Sequence, residues 1–176
     1  LKGGVSIAFS PSGTKLVSVG YDKTIRIWNS ITGGYCRGLP GHTKRVRSAV
    51  AFSPVSFTLA SASRHGNVSI WDANTGGLLQ MLRDYKQVAT AVAYSPDGAA
   101  LAAAGEFAVH IWSTNTGLLL KTLDTNHDSW CTTSVAFSPG GSKLATAGSN
   151  GYIHLWNVKT GKFLRQVGRA VSTIMA

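Results

Sequence analysis

The chain has 176 residues, 44% of them hydrophobic and 14% charged, which is enough apolar material for a core and excludes a disordered polypeptide. Twenty glycines and five tryptophans suit many short strands joined by tight turns better than long helices, so an all-β protein is expected. Seventeen Lys plus Arg against seven Asp plus Glu give a net charge of +10, which favours anionic partners and disfavours basic ones.

In chain order, period-2 patterning and turn residues divide the first stretch into four strands. Strand a runs over 5–9, the turn Ser10-Pro11-Ser12-Gly13 follows, and strand b runs over 15–19. A polar turn at 21–23 leads to strand c over 24–28, and after Thr32-Gly33 comes strand d over 35–39. Proline at the second turn position presets φ, and small or polar residues complete the turn, as again in Pro96-Asp97-Gly98 and Pro139-Gly140-Gly141.

The same unit then recurs. Phe9-Ser10-Pro11, Phe52-Ser53-Pro54, Tyr94-Ser95-Pro96 and Phe137-Ser138-Pro139 are spaced by 43, 42 and 43 residues. Trp28, Trp71, Trp112 and Trp156 are spaced by 43, 41 and 44, and the Thr-Gly pairs beginning at Thr32, Thr75, Thr116 and Thr160 keep those steps. The units expected from these markers cover about 4–40, 45–83, 88–125 and 131–168, with 170–176 opening a fifth.

Strand a of each unit alternates large residues with small ones, Ser6 and Ala8, Ala49 and Ala51, Ala91 and Ala93, Ser134 and Ala136. Strand c puts Ile25/Ile27, Val68/Ile70, Val109/Ile111 and Ile153/Leu155 on one face and tryptophan on the other. Both faces of each sheet are therefore expected to be buried. Crowding at strand a and room farther out fit wedge-shaped sheets arranged radially.

With these marks the sequence resembles the WD-repeat (WD40) β-propeller family over essentially its whole length. Gly41-His42, Leu59-Ala60-Ser61 and Trp71-Asp72 carry the likeness within one unit, whereas Trp28 and Trp156 are followed by Asn and Trp112 by Ser113. The resemblance implies a β-propeller region with four blades of four antiparallel strands each. It also implies a hydrogen-bonded set of His, Ser or Thr, Asp and Trp pinning each blade. The His slot falls on His42 and His127, with Asp84 in the third unit. Counting back from each Trp, the Asp slot holds Asp22, His65, Glu106 and Asn150, and the Ser/Thr slot holds Ser18, Ser61, Ala102 and Thr146. No visible unit has a complete set, so weaker pinning is expected, each buried bond contributing on the order of 1 kcal/mol.

Propellers of the family usually have seven or eight blades, and open blade faces expose apolar surface that invites association. Residues 171–176 align with 46–51, just short of a fifth unit's Phe. The expected arrangements are an incomplete ring belonging to a longer propeller, or half of an eight-blade assembly completed by a homodimer. The small strand-a residues argue against a closed four-blade ring.

No catalytic, metal or cofactor site is expected. The histidines lack ligand spacing, His110 and His154 occupy equivalent repeat positions, and no phosphate-binding loop, nucleophile elbow or HExxH pattern occurs. Cys36 and Cys131 have no CxxC partner and are expected to be reduced structural thiols. Asn67-Val68-Ser69 matches a glycosylation acceptor but is expected in a buried strand. No 18-residue apolar run and no secretory pattern is visible, so an intracellular location, cytoplasmic or nuclear, and no membrane contact are expected.

The d–a connections and b–c turns should share one rim. Lys44, Arg45 and Arg47 come from one such connection and Arg64 with His65 from an adjacent turn, a cationic group suited to carboxylates or phosphates. Tyr21, Tyr85, Lys86 and Trp130 fall at comparable positions, where aromatics serve as interface anchors. The opposing reading is that these are solvated loop residues. The expected function is a non-catalytic scaffold for protein partners with acidic or phosphorylated segments. RNA or DNA association is the second reading, and a regulatory region of a larger enzyme the third.

Overall fold

A computed structural model describes residues 4–20, 24–39, 49–63, 66–82, 88–125 and 131–169. They form sixteen strands and, among these residues, no helix. The first sheet contains β1 (Gly4–Phe9), β2 (Lys15–Gly20), β3 (Ile25–Asn29) and β4 (Tyr35–Leu39). The second contains β5 (Ala49–Phe52), β6 (Thr58–Ala62), β7 (Val68–Asp72) and β8 (Leu78–Leu82). The third contains β9 (Ala89–Tyr94), β10 (Ala100–Gly105), β11 (Ala108–Ser113) and β12 (Leu119–Asp124). The fourth contains β13 (Thr132–Phe137), β14 (Lys143–Gly148), β15 (Tyr152–Asn157) and β16 (Phe163–Arg169). Each sheet is an antiparallel meander in chain order, and the four are not joined by ladder hydrogen bonds. This is the expected all-β, four-by-four architecture of a partial β-propeller. In the first unit β3 sits one residue later than expected, because Asn29 pairs with Lys15 and extends the ladder.

Turn chemistry explains where the strands stop. Ser10 donates its N–H to the Lys15 carbonyl and accepts the Lys15 N–H on Oγ at 3.0 Å, which closes the β1–β2 turn. Gly13, Gly98 and Gly141 take φ near 70° there, a conformation that costs a side-chain-bearing residue energy. At the other turn of each sheet, the residue after tryptophan supplies a side-chain acceptor. Asn29 Oδ1 accepts the N–H groups of Ile31 (2.9 Å) and Thr32 (3.0 Å), and Asp72 Oδ1 those of Asn74 (2.7 Å) and Thr75 (2.8 Å). Ser113 Oγ and Asn157 Oδ1 do the same for Thr116 (3.3 Å) and Thr160 (2.9 Å). The slot requires an oxygen acceptor rather than aspartate, which is why Asn and Ser replace it.

The sheets stand side by side, their first strands β1, β5, β9 and β13 touching in succession. Three apolar layers fill the gaps. Val17, Val19, Ile25, Ile27 and Leu39 of the first sheet meet Val50, Phe52, Leu59 and Trp71 of the second. Ala60, Ala62, Val68 and Ile70 meet Leu101, Ala103 and Trp112, and Ala102, Ala104, Val109 and Ile111 meet Val135, Leu144 and Trp156. Small residues on the first strands allow the close approach: Ala8 packs in the first layer, and the Val50 N–H donates to Ser6 Oγ at 3.3 Å across sheets. Thr90 Oγ1 likewise donates to the Thr132 carbonyl.

The expectation that every sheet is buried on both faces needs correcting at the ends. Val50 and Phe52 are 6% and 9% exposed, whereas Ile7 and Phe9, their counterparts in the first sheet, are 66% and 61% exposed. Ser134, Ala136 and Ile153 are exposed on the far face of the fourth sheet. The array of described sheets does not close, so these two faces have no neighbouring sheet against them.

Candidate functional site

An antiparallel meander places its b–c turns and d–a connections at one rim, here the upper, and its a–b and c–d turns at the lower. Of the upper-rim candidates, Tyr21, Lys44, Arg45, Arg47, Arg64, His65, Tyr85, Lys86 and Trp130 all lie outside the described residues, as do Asp22, His42 and His127. What is described at this rim is the frame: Ser63 N–H donates to the Asn67 carbonyl at 2.9 Å, and Asn150 Oδ1 accepts the Tyr152 N–H at 3.0 Å. Asn150 is thus engaged in its own turn. In the third sheet the β10–β11 link is only Glu106 and Phe107, both exposed. Asn67 is exposed ahead of β7 rather than within a buried strand, although Val68 and Ser69 are buried.

The tryptophans are held from behind. Trp28 Nε1 donates to Ser18 Oγ at 2.8 Å, Trp71 Nε1 to Ser61 Oγ at 2.8 Å, and Trp156 Nε1 to Thr146 Oγ1 at 2.9 Å. The third sheet departs, and the slot is Ala103, not Ala102. Leu101 pairs with Trp112 and Ala103 with His110, so the short β10–β11 turn shifts the count by one. Alanine offers no hydroxyl there, and the His110 ring stacks on Trp112 with centroids 5.4 Å apart. His154 instead meets Trp156 and Phe163 edge-on. Among the described residues no group of three His, Cys, Asp or Glu side chains gathers at metal-ligating distance, and Cys36 and Cys131 form no disulfide.

Sequence reasoning missed a set of contacts at the lower rim that join each sheet to the next. Arg37, Gln80 and Lys121 occupy the same register position on the outer strands, opposite Ile27, Ile70 and Ile111. Arg37 Nη1 donates to the Thr75 carbonyl of the following sheet's turn. The Arg37 and Lys121 side chains lie over Gly76 and Gly161, where a Cβ would come within 3.0 and 3.6 Å of them, and Gln80 lies over Gly117 so closely that a Cβ would collide with it. Gly33, at the open end, has nothing over it. A repeated long side chain before each repeated Thr-Gly turn was the available signal. Asp72 sits in this turn, and the N–H groups of Thr75 and Asn74 hold its carboxyl below the usual range.

The lower rim also opens between sheets. One cleft of about 430 Å³ lies between the second and third sheets and another of about 300 Å³ between the third and fourth.

Four meanders with this recurrent tryptophan and turn chemistry define a protein of the repeat-propeller class. The chain belongs to the WD40 family, described as the WD domain, G-beta repeat, whose family model matches residues 2–29, 33–72, 76–113 and 117–157. Comparison with curated proteins finds no match. The matched segments are offset from the sheets: 33–72 holds β4 together with β5, β6 and β7, so each sequence repeat ties the outer strand of one sheet to the inner three of the next. WD40 repeats generally mediate protein–protein interaction and complex assembly, and domains built from them are generally non-catalytic interaction modules.

Proposed function

We propose that the chain acts as a non-catalytic scaffold that assembles protein partners on its upper rim, through Lys44, Arg45, Arg47, Arg64 and His65 flanked by Tyr21, Tyr85, Lys86 and Trp130. The observation that carries this reading is how the repeat spends its polar groups. The acceptors after Trp28, Trp71, Trp112 and Trp156 are engaged in turns, and Trp28, Trp71 and Trp156 donate to a hydroxyl within their own sheets. The rim cations are not required by that framework, and their charge suits acidic or phosphorylated segments. Arg45→Glu combined with Arg64→Glu tests it by quantitative partner capture. Loss of about tenfold or more in affinity is expected; undiminished capture discards the patch.

A second reading, RNA or DNA association, draws on the net charge of +10 and on Lys143, Lys159, Lys162 and Arg165 around the outer turn of the fourth sheet, with Lys121 beside Gly161. Its signature is affinity that falls steeply with salt. The open first and fourth faces also support pairing with further sheets, either from a longer chain or from a second copy.

A further inference from the structure

We infer that two copies of the chain pair head to tail, with the open face of the fourth sheet in one copy seated against the open face of the first sheet in the other. The inference rests on the reading that these faces pair with further sheets, and it commits that reading to a second copy.

The joint between the first and second sheets shows what such a contact requires. Val17, Val19, Ile25 and Ile27 of the first sheet pack on Phe52, Leu59 and Trp71 of the second. Two polar contacts cross the joint. The Val50 N–H donates to Ser6 Oγ at 3.3 Å, and Arg37 Nη1 donates to the Thr75 carbonyl beside Gly76.

The fourth sheet repeats the first half of that joint, and the first sheet repeats the second half. By ladder register, Ser134 and Arg165 stand where the first sheet has Ser6 and Arg37. The second and third sheets have Ala49 and Ala91 in the serine slot, and Gln80 and Lys121 in the arginine slot. Ser134 and Arg165 are exposed, as is Ile153 in the slot of Ile25. On the other open face, Phe9, Leu16 and Trp28 stand where the second sheet has Phe52, Leu59 and Trp71. Leu59 and Trp71 are 0% and 3% exposed, whereas Leu16 and Trp28 are only half-buried. Gly33 has open space above it where Arg37 covers Gly76. In the pair, Ser134 Oγ accepts the Ile7 N–H and Arg165 donates to the Thr32 carbonyl, reproducing both polar contacts of the internal joint. Ala145 and Ala147 receive Phe9 as Ala102 and Ala104 receive Phe137. The contact joins unlike faces, so each copy uses both ends, and the eight sheets of two copies fall within the roughly four to eight at which such rings close. The net charge of +10 on each copy opposes association, so pairing is expected in the micromolar range and strengthens with salt. Single copies with open end faces prevail below about 1 µM.

The test is sedimentation velocity of the whole chain over a concentration range of about 0.5 to 100 µM. A reversible shift to twice the mass of one chain is expected. Phe9→Glu and Ile153→Glu should each abolish it while circular dichroism shows an unchanged fold, since both side chains are exposed in the single copy. An equimolar mixture of these two variants keeps one intact joint and should pair again, whereas a contact of like faces would survive one of the two substitutions. Arg165→Ala should weaken pairing about tenfold, and Arg165→Lys less. A monomer at every concentration, a series of species larger than two copies, loss of pairing with only one of the two glutamate variants, or wild-type pairing by Arg165→Ala overturns the proposal. Fluorescence of the apolar dye anilinonaphthalene sulfonate separates the two failures: a monomer that binds the dye has open faces that a second copy does not cover, and a monomer that does not bind it overturns the broader reading as well.

Discussion

Among the described residues, the second and third sheets have a neighbouring sheet on each face; the first and fourth have one. Near-identical sequences thus occupy two environments within one molecule, and a residue's fate depends on where its sheet stands. Val50 and Phe52 are core, while Ile7 and Phe9, at the same strand positions, are surface. Trp71, Trp112 and Trp156 are buried, whereas Trp28 is only half-buried, because the face it occupies has no preceding sheet. A wedge of this type does not cover its own apolar faces, and its stability is borrowed from the adjoining wedge.

The largest expected effect separates the two environments directly. Leu101→Ala, in the layer between the second and third sheets, should cost about 2–5 kcal/mol in chemical denaturation, against about 0.5 kcal/mol or less for Ile7→Ala. Similar costs at the two sites would remove the distinction.

Titration sharpens it further at one equivalent slot. Tyr94 has its pKa raised by burial to about 12, above the unfolded value of about 10. The folded state therefore holds the proton more tightly, and the associated stability is complete below about pH 10 and lost as pH rises towards about 12, on the order of 2–3 kcal/mol. In Phe9→Tyr the new phenol lies on an open face and should titrate near 10. Phenolate absorbance measured on both proteins checks the pair.

Smaller effects follow from the tryptophan bonds. Ser61→Ala leaves the buried Trp71 Nε1 without its hydroxyl and should cost about 1–3 kcal/mol, while Ser18→Ala, beside the half-buried Trp28, should cost about 1 kcal/mol or less by the same measurement. The smallest effect belongs to the exposed turn. Asp72→Asn should leave the thermal midpoint almost unchanged, since Asn29 and Asn157 perform the same capping, whereas Asp72→Ala lowers it. Its depressed pKa adds a sign: the stabilisation is present above about pH 4 and lost as pH falls through the lower folded value, and the asparagine variant abolishes that dependence.

The repeat and the sheet architecture were legible in the sequence because their causes are local. Proline and glycine fix turns, tryptophan recurs at fixed distance, and alternation marks the strands. The Trp–Ser/Thr bonds were equally visible as a ten-residue spacing, except in the third unit. There the shortened Glu106-Phe107 turn moved the partner from Ala102 to Ala103, and counting along the chain could not register a change that only the ladder reveals. The clasps from Arg37, Gln80 and Lys121 to the next sheet, and the cleft under Tyr94, arise between units some forty residues apart and depend on how two sheets face each other. The cationic residues proposed for the upper rim were legible as charge alone, since no repeat rule dictates their positions, and they lie outside the described residues.

Amide hydrogen exchange on the 176-residue chain tests the dependence of each wedge on its neighbours most directly. The account predicts the slowest exchange in β6, β7, β10 and β11, with faster exchange in the matching strands β2, β3, β14 and β15 at the two ends. Equal protection across all four sheets would mean that each is stable by itself, and would contradict it.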